Sequence, residues 1–313
     1  MLPSKRNHKA PQPLIGGPAP NPLPMKVFTS DKVNAVNIYF STDWINYTAL
    51  KLGTRVLTDV PYPTSVKQWS PALPAKGYRA SLVNELGTKI SWHDKRDDMG
   101  VHVQYTGQTL NKHAEQGITA QMIAQHHEVS GDRCSRVDLA LDCQSTGLNI
   151  GALANMVKYG AGKFSTKVYS HITSQDSGET LYLGSRTSEQ YIRIYNKAAE
   201  QQTSGDWVRI ELELKGSRAH EVGKRLAFGT DTQMITLTRG MIVNMAQFPD
   251  ETWKAIVGEL AVSIAKAHTN EPDRKGWLLG LVAPAMGKYI SESGDDAIIE
   301  QFLAIVDAFV RLR

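Results

Sequence analysis

Three stretches of the chain alternate polar and apolar residues at period two, the mark of a half-buried strand. They are Cys134–Cys143, Tyr191–Tyr195 and Arg209–Leu214. Val137, Leu139 and Leu141, then Ile192 and Ile194, then Ile210, Leu212 and Leu214 are set to face a core. The opposite faces carry Asp138 and Asp142 from the first run, Tyr191, Arg193 and Tyr195 from the second, and Arg209, Glu211 and Glu213 from the third. Shorter strand patterns fall at 36–40, 44–48, 78–84, 164–172 and 179–184. A further pair, 87–93 and 100–106, reads as a hairpin, with turn signals at Gly87 and at 97–100.

Apolar residues at helical spacing predict one helix over 113–129 and another over 149–159, stopped by Gly160. Beyond Lys215 the strand patterns vanish, and 216–228, 230–247, 250–268 and 293–312 all read as helices. These elements predict an α+β fold, a largely antiparallel sheet with packed helices followed by a helical C-terminal region. Residues 1–25 hold seven prolines and little that packs, and read as a disordered arm. The expected divisions are this arm, an α+β domain over 26–225 and a helical region over 226–313.

Composition narrows the class only modestly. A chain of 313 residues with 41% hydrophobic and 21% charged content is ordinary for a globular protein, and its net charge of +4 permits a nucleic-acid partner without requiring one. Two cysteines, Cys134 and Cys143, are too few for a disulfide framework, and a reduced cytoplasmic protein is expected. No apolar run is long enough for a membrane-spanning helix, and the basic N-terminal residues lack the apolar segment of a secretory signal.

The polar faces are richer. Asp138, Asp142, Glu211 and Glu213 are oxygen donors of the kind that hold a hard divalent cation, Mg²⁺ or Mn²⁺. Such a cation can polarise a phosphate, arginines can grip it, and a tyrosine beside it can act as a covalent nucleophile. The plainer alternative is a solvated strand face carrying cross-strand ion pairs. Other chemistries fall away. The sequence has no H-x-H, H-E-x-x-H or C-x-x-C spacing, and no G-x-x-x-x-G-K-[ST] loop for ATP. His126 and His127 are neighbours on a predicted helix and point in different directions.

The stretches SRVDLALDC (135–143), TLYLGSRTSEQYIRIYNKAAE (180–200) and WVRIELELKGSRA (207–219) resemble the replication initiation factor family, Rep_trans. That family takes in rolling-circle plasmid initiators, filamentous phage replication proteins and relaxases of conjugative elements. The likeness runs from about Asp43 to Ala219 and leaves out the arm and the helical tail. It implies a metal-dependent enzyme that nicks and rejoins one DNA strand at an origin through a covalent 5′-phosphotyrosine. By position, Tyr195 matches the nucleophile, and Asp138, Asp142, Glu211 and Glu213 match the carboxylates around Mg²⁺ or Mn²⁺. Arg193 and Lys197 stand beside the tyrosine as phosphate contacts, and Arg209, Arg186 and Tyr191 complete the DNA-binding set. Tyr191, four residues before Tyr195 and on the same face, is either structural, a base-stacking residue or a second nucleophile. The implied partners are single-stranded or hairpin origin DNA, a host helicase and a second copy of the chain, in the cytoplasm of a bacterial host. The competing readings are a relaxase of the same chemistry and a DNA-binding regulator that keeps the fold without catalysis.

Overall fold

The protein is described by a computed structural model, covering residues 26–27, 37–49, 57–62, 68–175, 178–264, 283–294 and 297–301. The proline-rich arm over 1–25 lies outside the described residues. The fold is α+β and its described strand pairs are antiparallel, as the alternation predicts. The chain divides into two compact units whose segments interleave. One draws on Met1–Asp43, Asp138–Glu213 and Asp231–Val262, the other on Trp44–Val137, Leu214–Thr230 and Ser263–Arg313.

In the first unit, strands β2 (Asn37–Ala49, here through Asp43), β7 (Arg133–Gln144, here from Asp138), β12 (Trp207–Lys215, here to Glu213), β11 (Gln190–Asn196), β10 (Gly178–Leu183) and β9 (Tyr169–Ser174) stand side by side in that order. A short strand β1 (Lys26–Val27) pairs with β2. Leu139, Leu141, Leu181, Leu183, Ile192, Ile194, Ile210 and Leu212 are all fully buried, so the predicted apolar face is the core. Burying each such side chain contributes roughly 1.5–3 kcal/mol. Helix α3 (Ile150–Lys158) packs on β10 and β11, and Asn149 fixes its start by accepting a 2.8 Å hydrogen bond from the Ala152 N–H. Helices α6 (Asp231–Met245) and α7 (Glu251–Val257) pack together beside a two-stranded ribbon of β8 (Lys163–Phe164) and β13 (Ala246–Gln247). An aromatic chain from Phe164 through Phe248 to Trp253 fills the space between them, with ring centroids 5.1 and 4.8 Å apart.

In the second unit, β3 (Trp69–Pro71), β4 (Ala80–Asn84), β5 (Lys89–Trp92), β6 (Val101–Thr106) and the Trp44–Ala49 part of β2 form an antiparallel meander. Ile45, Tyr47, Ile90, Val103 and Tyr105 line its buried face. Helix α1 (Gly107–Glu115) follows β6, and α2 (Ala120–Val129) packs against α5 (Gly216–Phe228). His127 of α2 is buried, stacked on Tyr47 at 4.0 Å, with one ring nitrogen 3.0 Å from the Tyr105 hydroxyl and the other 2.8 Å from Asp132. Both its nitrogens are therefore engaged by protein groups. Helix α8 (Ala283–Ser293) is the last long described element.

Three boundaries differ from the sequence expectation. The segments expected at 36–40 and 44–48 fall, from Asn37 on, in one continuous strand, β2, which runs through Ser41, Thr42 and Asp43. The helix expected over 113–129 is two helices, separated by Gly117 at φ +78°. The helix expected over 250–268 ends at Val257, where Gly258 adopts φ +75° and its N–H caps the Lys254 carbonyl.

Candidate active site

The polar faces of β7, β11 and β12 come together in the first unit, and they are buried. Asp138, Asp142, Arg209, Glu211, Glu213, Tyr191 and Tyr195 are all shielded from solvent. A solvated face of surface ion pairs therefore does not describe this site. Charges so placed cost several kcal/mol each unless they are paired and hydrogen-bonded, so the partners decide what the site is.

β11 and β12 supply a ladder of cross-strand pairs. The Tyr191 hydroxyl donates a 2.6 Å hydrogen bond to Glu213 Oε2, and Arg193 Nη2 donates one of 2.6 Å to Glu211 Oε2. Two residues forward on β11 correspond to two residues back on β12, which is antiparallel register and sets Tyr195 opposite Arg209. Arg193 also lies over the Tyr195 ring, 4.1 Å from its centroid. Tyr195 itself is buried, and its hydroxyl has no hydrogen-bond partner among the described residues. β11 stops one residue later, where Asn196 accepts a 2.8 Å hydrogen bond from the Ala199 N–H and starts the short helix α4 (Lys197–Glu200). Lys197 pairs with Glu200 and holds its ammonium 5.6 Å from the Tyr195 ring.

Behind the ladder, Arg209 is clasped by Asp142. Its Nε donates to Oδ1 and its Nη2 to Oδ2, both at 2.8 Å, while Nη1 reaches Asp43 of β2 at 2.5 Å. Trp207 Nε1 adds a 2.7 Å hydrogen bond to Asp142 Oδ1. Both oxygens of Asp142 are thus committed to protein donors. Asp138 is buried four residues earlier on β7. Arg186, in the turn after β10, is exposed, lies 5.1 Å from the Tyr182 ring and reaches the Tyr191 hydroxyl.

The protonation preferences follow from this burial. Burial pushes the Glu211 carboxyl above its usual range; Arg193 opposes the shift, and the nearby charge of Asp43 adds to it. Burial likewise raises the Tyr195 phenol well above the ordinary tyrosine value, helped by the Glu211 and Glu200 carboxylates and against the pull of Arg209 and Arg193. Tyr191 is raised too, first by burial and then by the Glu213 carboxylate that accepts its proton, with Arg186 pulling the other way. Burial works against the charge on Arg209, yet Asp142 and Asp43 outweigh it and keep the guanidinium protonated.

Every sequence-selected residue therefore lies in this one unit, most of them in direct contact. Asp43 was not selected. Its signal was present, a lone carboxylate between Thr42 and Trp44, but it fell in the gap between two short strand patterns. Trp207 as a donor to Asp142 was also missed, because an aromatic residue opening a strand carries no sequence mark of its hydrogen bond.

For a divalent cation, the donor set has the right chemistry, since the acidic groups offer carboxylate oxygens alone. Around the site, buried Asp138, Asp142, Glu211 and Glu213 and partly exposed Asp43 make five carboxylates against two guanidiniums, buried Arg209 and partly exposed Arg193. Glu211 and Asp43 repel each other, and a cation between acidic groups relieves that repulsion. Among the described residues, no three His, Cys, Asp or Glu side chains stand together as a ready-made metal cage.

Residues 133–271 match the family model for the replication initiation factor, Rep_trans. The matched span covers β7 to β12 and so carries Asp138, Asp142, Tyr191, Arg193, Tyr195, Arg209, Glu211 and Glu213. NicK of Bacillus subtilis (strain 168), named as a candidate DNA relaxase, is 27% identical over 186 residues, 50% of this chain and 52% of NicK. The chain thus matches about half the length of that relative. A rolling circle replication initiator protein from Geobacillus stearothermophilus shares the fold with a TM-score of 0.57 and 22% identity, over 74% of this chain and 99% of that one. Likeness to the replication initiation factors thus rests on sequence and on fold. Among the described residues, no helix is long and apolar enough to cross a membrane.

Proposed function

We propose that the protein is a replication initiator that nicks and rejoins one strand of origin DNA, with Tyr195 as the attacking group. The observation that carries this reading is the Tyr195 hydroxyl. It is buried, it has no hydrogen-bond partner among the described residues, and Arg193 and Arg209 favour its phenolate against burial and the Glu211 and Glu200 carboxylates. A buried hydroxyl left without a partner costs about 1–3 kcal/mol, a cost that a bound phosphate would offset. A phosphate seated there would be target for the phenol and acceptor for Arg193 Nε, which is buried without a partner among the described residues.

The step is an in-line transesterification. The Tyr195 oxygen bonds to phosphorus, the bond to the departing 3′-oxygen breaks, and the strand is left with a free 3′-hydroxyl and a 5′-phosphotyrosine. Tyr195 gives up one proton and the 3′-oxygen takes up one. Because burial holds the free phenol protonated, attack requires the positive groups to favour the phenolate as the reaction begins. Arg193, anchored by Glu211, and Arg209, anchored by Asp142, supply that field in fixed positions. Mg²⁺ or Mn²⁺ held by Glu211 and Asp43, with Asp138 and Glu213 flanking, would add charge neutralisation on the phosphate oxygens. Asp142 serves as the anchor of Arg209. The buried phenol reaches only a backbone freed from its duplex, so the substrate is single-stranded or hairpin origin DNA, in a bacterial cytoplasm. A host helicase and a second copy of the chain complete the proposed assembly.

Supercoiled plasmid bearing the replication origin, incubated with the protein and Mn²⁺, tests the reading. It predicts nicked circles carrying protein on the 5′ end. Plasmid that is bound and shifted in a gel yet stays closed would leave a DNA-binding regulator as the better account.

A further inference from the structure

The site opens toward β9. Along the sheet face that bears Tyr195, side-chain exposure rises from 1% at Asp142 and 6% at Glu211 to 25% at Arg193, and Ile172 of β9 is 51% exposed. The register fixes the path. Tyr182 of β10 lies opposite Arg193, and Ser170 of β9 lies opposite Tyr182. A strand of DNA that reaches Tyr195 from this side crosses β9 and then the ring of Tyr182. That ring is half-buried, tilted 45° to the Tyr191 ring at 6.3 Å, and has the Arg186 guanidinium 5.1 Å from its centroid. Gly184, at φ +103°, makes the turn that brings Arg186 back over β10; a Cβ there would come within 3.0 Å of Tyr191 Cβ.

Resting on the proposed nicking function, we infer that Tyr182 and Arg186 form a stacking platform for a nucleobase of single-stranded DNA next to the phosphate that Tyr195 attacks. An aromatic ring with a guanidinium plane against it presents the π and cationic surfaces on which unpaired bases stack, and an exposed arginine complements the neighbouring backbone charge. Stacking of this kind tolerates any base. The platform positions the strand, while recognition of an origin sequence lies elsewhere.

The test uses the full chain with Tyr195→Phe, so that no nicking intervenes, and an oligothymidylate of about ten nucleotides carrying one central 2-aminopurine, a length within ordinary single-strand site sizes. Binding is expected to quench the 2-aminopurine fluorescence. Adding Tyr182→Leu should abolish the quench and weaken binding roughly five- to hundred-fold, the range expected for one lost stack. Tyr182→Phe should retain both, and Arg186→Ala should give an intermediate loss. Unchanged melting temperatures exclude a folding defect. A quench that survives Tyr182→Leu, or no quench in the parent, overturns the platform. Failure of the nicking reading shows separately, as closed plasmid with the wild-type chain, and leaves the fluorescence result readable.

Discussion

Arg209 and Asp142 face each other through two parallel 2.8 Å hydrogen bonds, buried on adjacent strands of the first unit. The pair makes Asp142 a structural anchor. Removing one partner of a buried, doubly bonded ion pair leaves an uncompensated charge, typically at a cost of about 3–5 kcal/mol. Asp142→Ala should therefore lower the unfolding free energy by about that much in denaturant titration. A change under about 1 kcal/mol would show that Arg209 finds other partners.

Tyr191 and Tyr195 should separate by stability. Tyr191→Phe discards a 2.6 Å hydrogen bond to a carboxylate, worth about 1.5–3 kcal/mol. Tyr195→Phe discards a hydroxyl with no partner among the described residues, so the folded state should be unchanged or slightly more stable. Thermal melts of the two variants check this, and a clear drop for Tyr195→Phe would reveal a partner for its hydroxyl.

Glu211 gives a pH signature. Its carboxyl is raised by burial, so the folded state holds its proton to higher pH than the unfolded chain. Stability from this group is complete below the unfolded value, about 4.3, and is lost as pH rises through the folded value. The melting temperature of the wild type relative to Glu211→Gln should thus fall as pH rises from about 4 upward. A constant difference across that range would mean that Glu211 has an ordinary carboxyl.

Cation binding should be visible without DNA. If Glu211 contributes to a site for Mg²⁺ or Mn²⁺, millimolar Mn²⁺ raises the melting temperature of the wild type by mass action and leaves Glu211→Gln nearly unmoved. Equal shifts in both proteins would place the cation away from Glu211.

Much of this was legible in the sequence. Period-two alternation identified β7, β11 and β12 and sorted their residues into core and polar faces, because on a strand that sorting follows directly from the pleat. What alternation could not say was that the polar face is also buried. Solvent exposure depends on what covers a sheet, and Glu211 reads the same whether it meets water or Arg193. For the same reason the carboxylate pattern and the family resemblance together offered Asp142 as a metal ligand when its oxygens are committed to Arg209 and Trp207, and passed over Asp43. Helix breaks at Gly117 and Gly258 were visible as glycines, but their positive φ is a choice made by the tertiary fold.

The central claim is that Tyr195 attacks the DNA. Incubating the wild-type chain with Mn²⁺ and origin DNA, digesting the product with protease and nuclease, and sequencing the adduct peptide by mass spectrometry tests it most directly. The account predicts a nucleotide phosphate on Tyr195 and no adduct in Tyr195→Phe. A phosphate on Tyr191, or an adduct that persists in Tyr195→Phe, would contradict it.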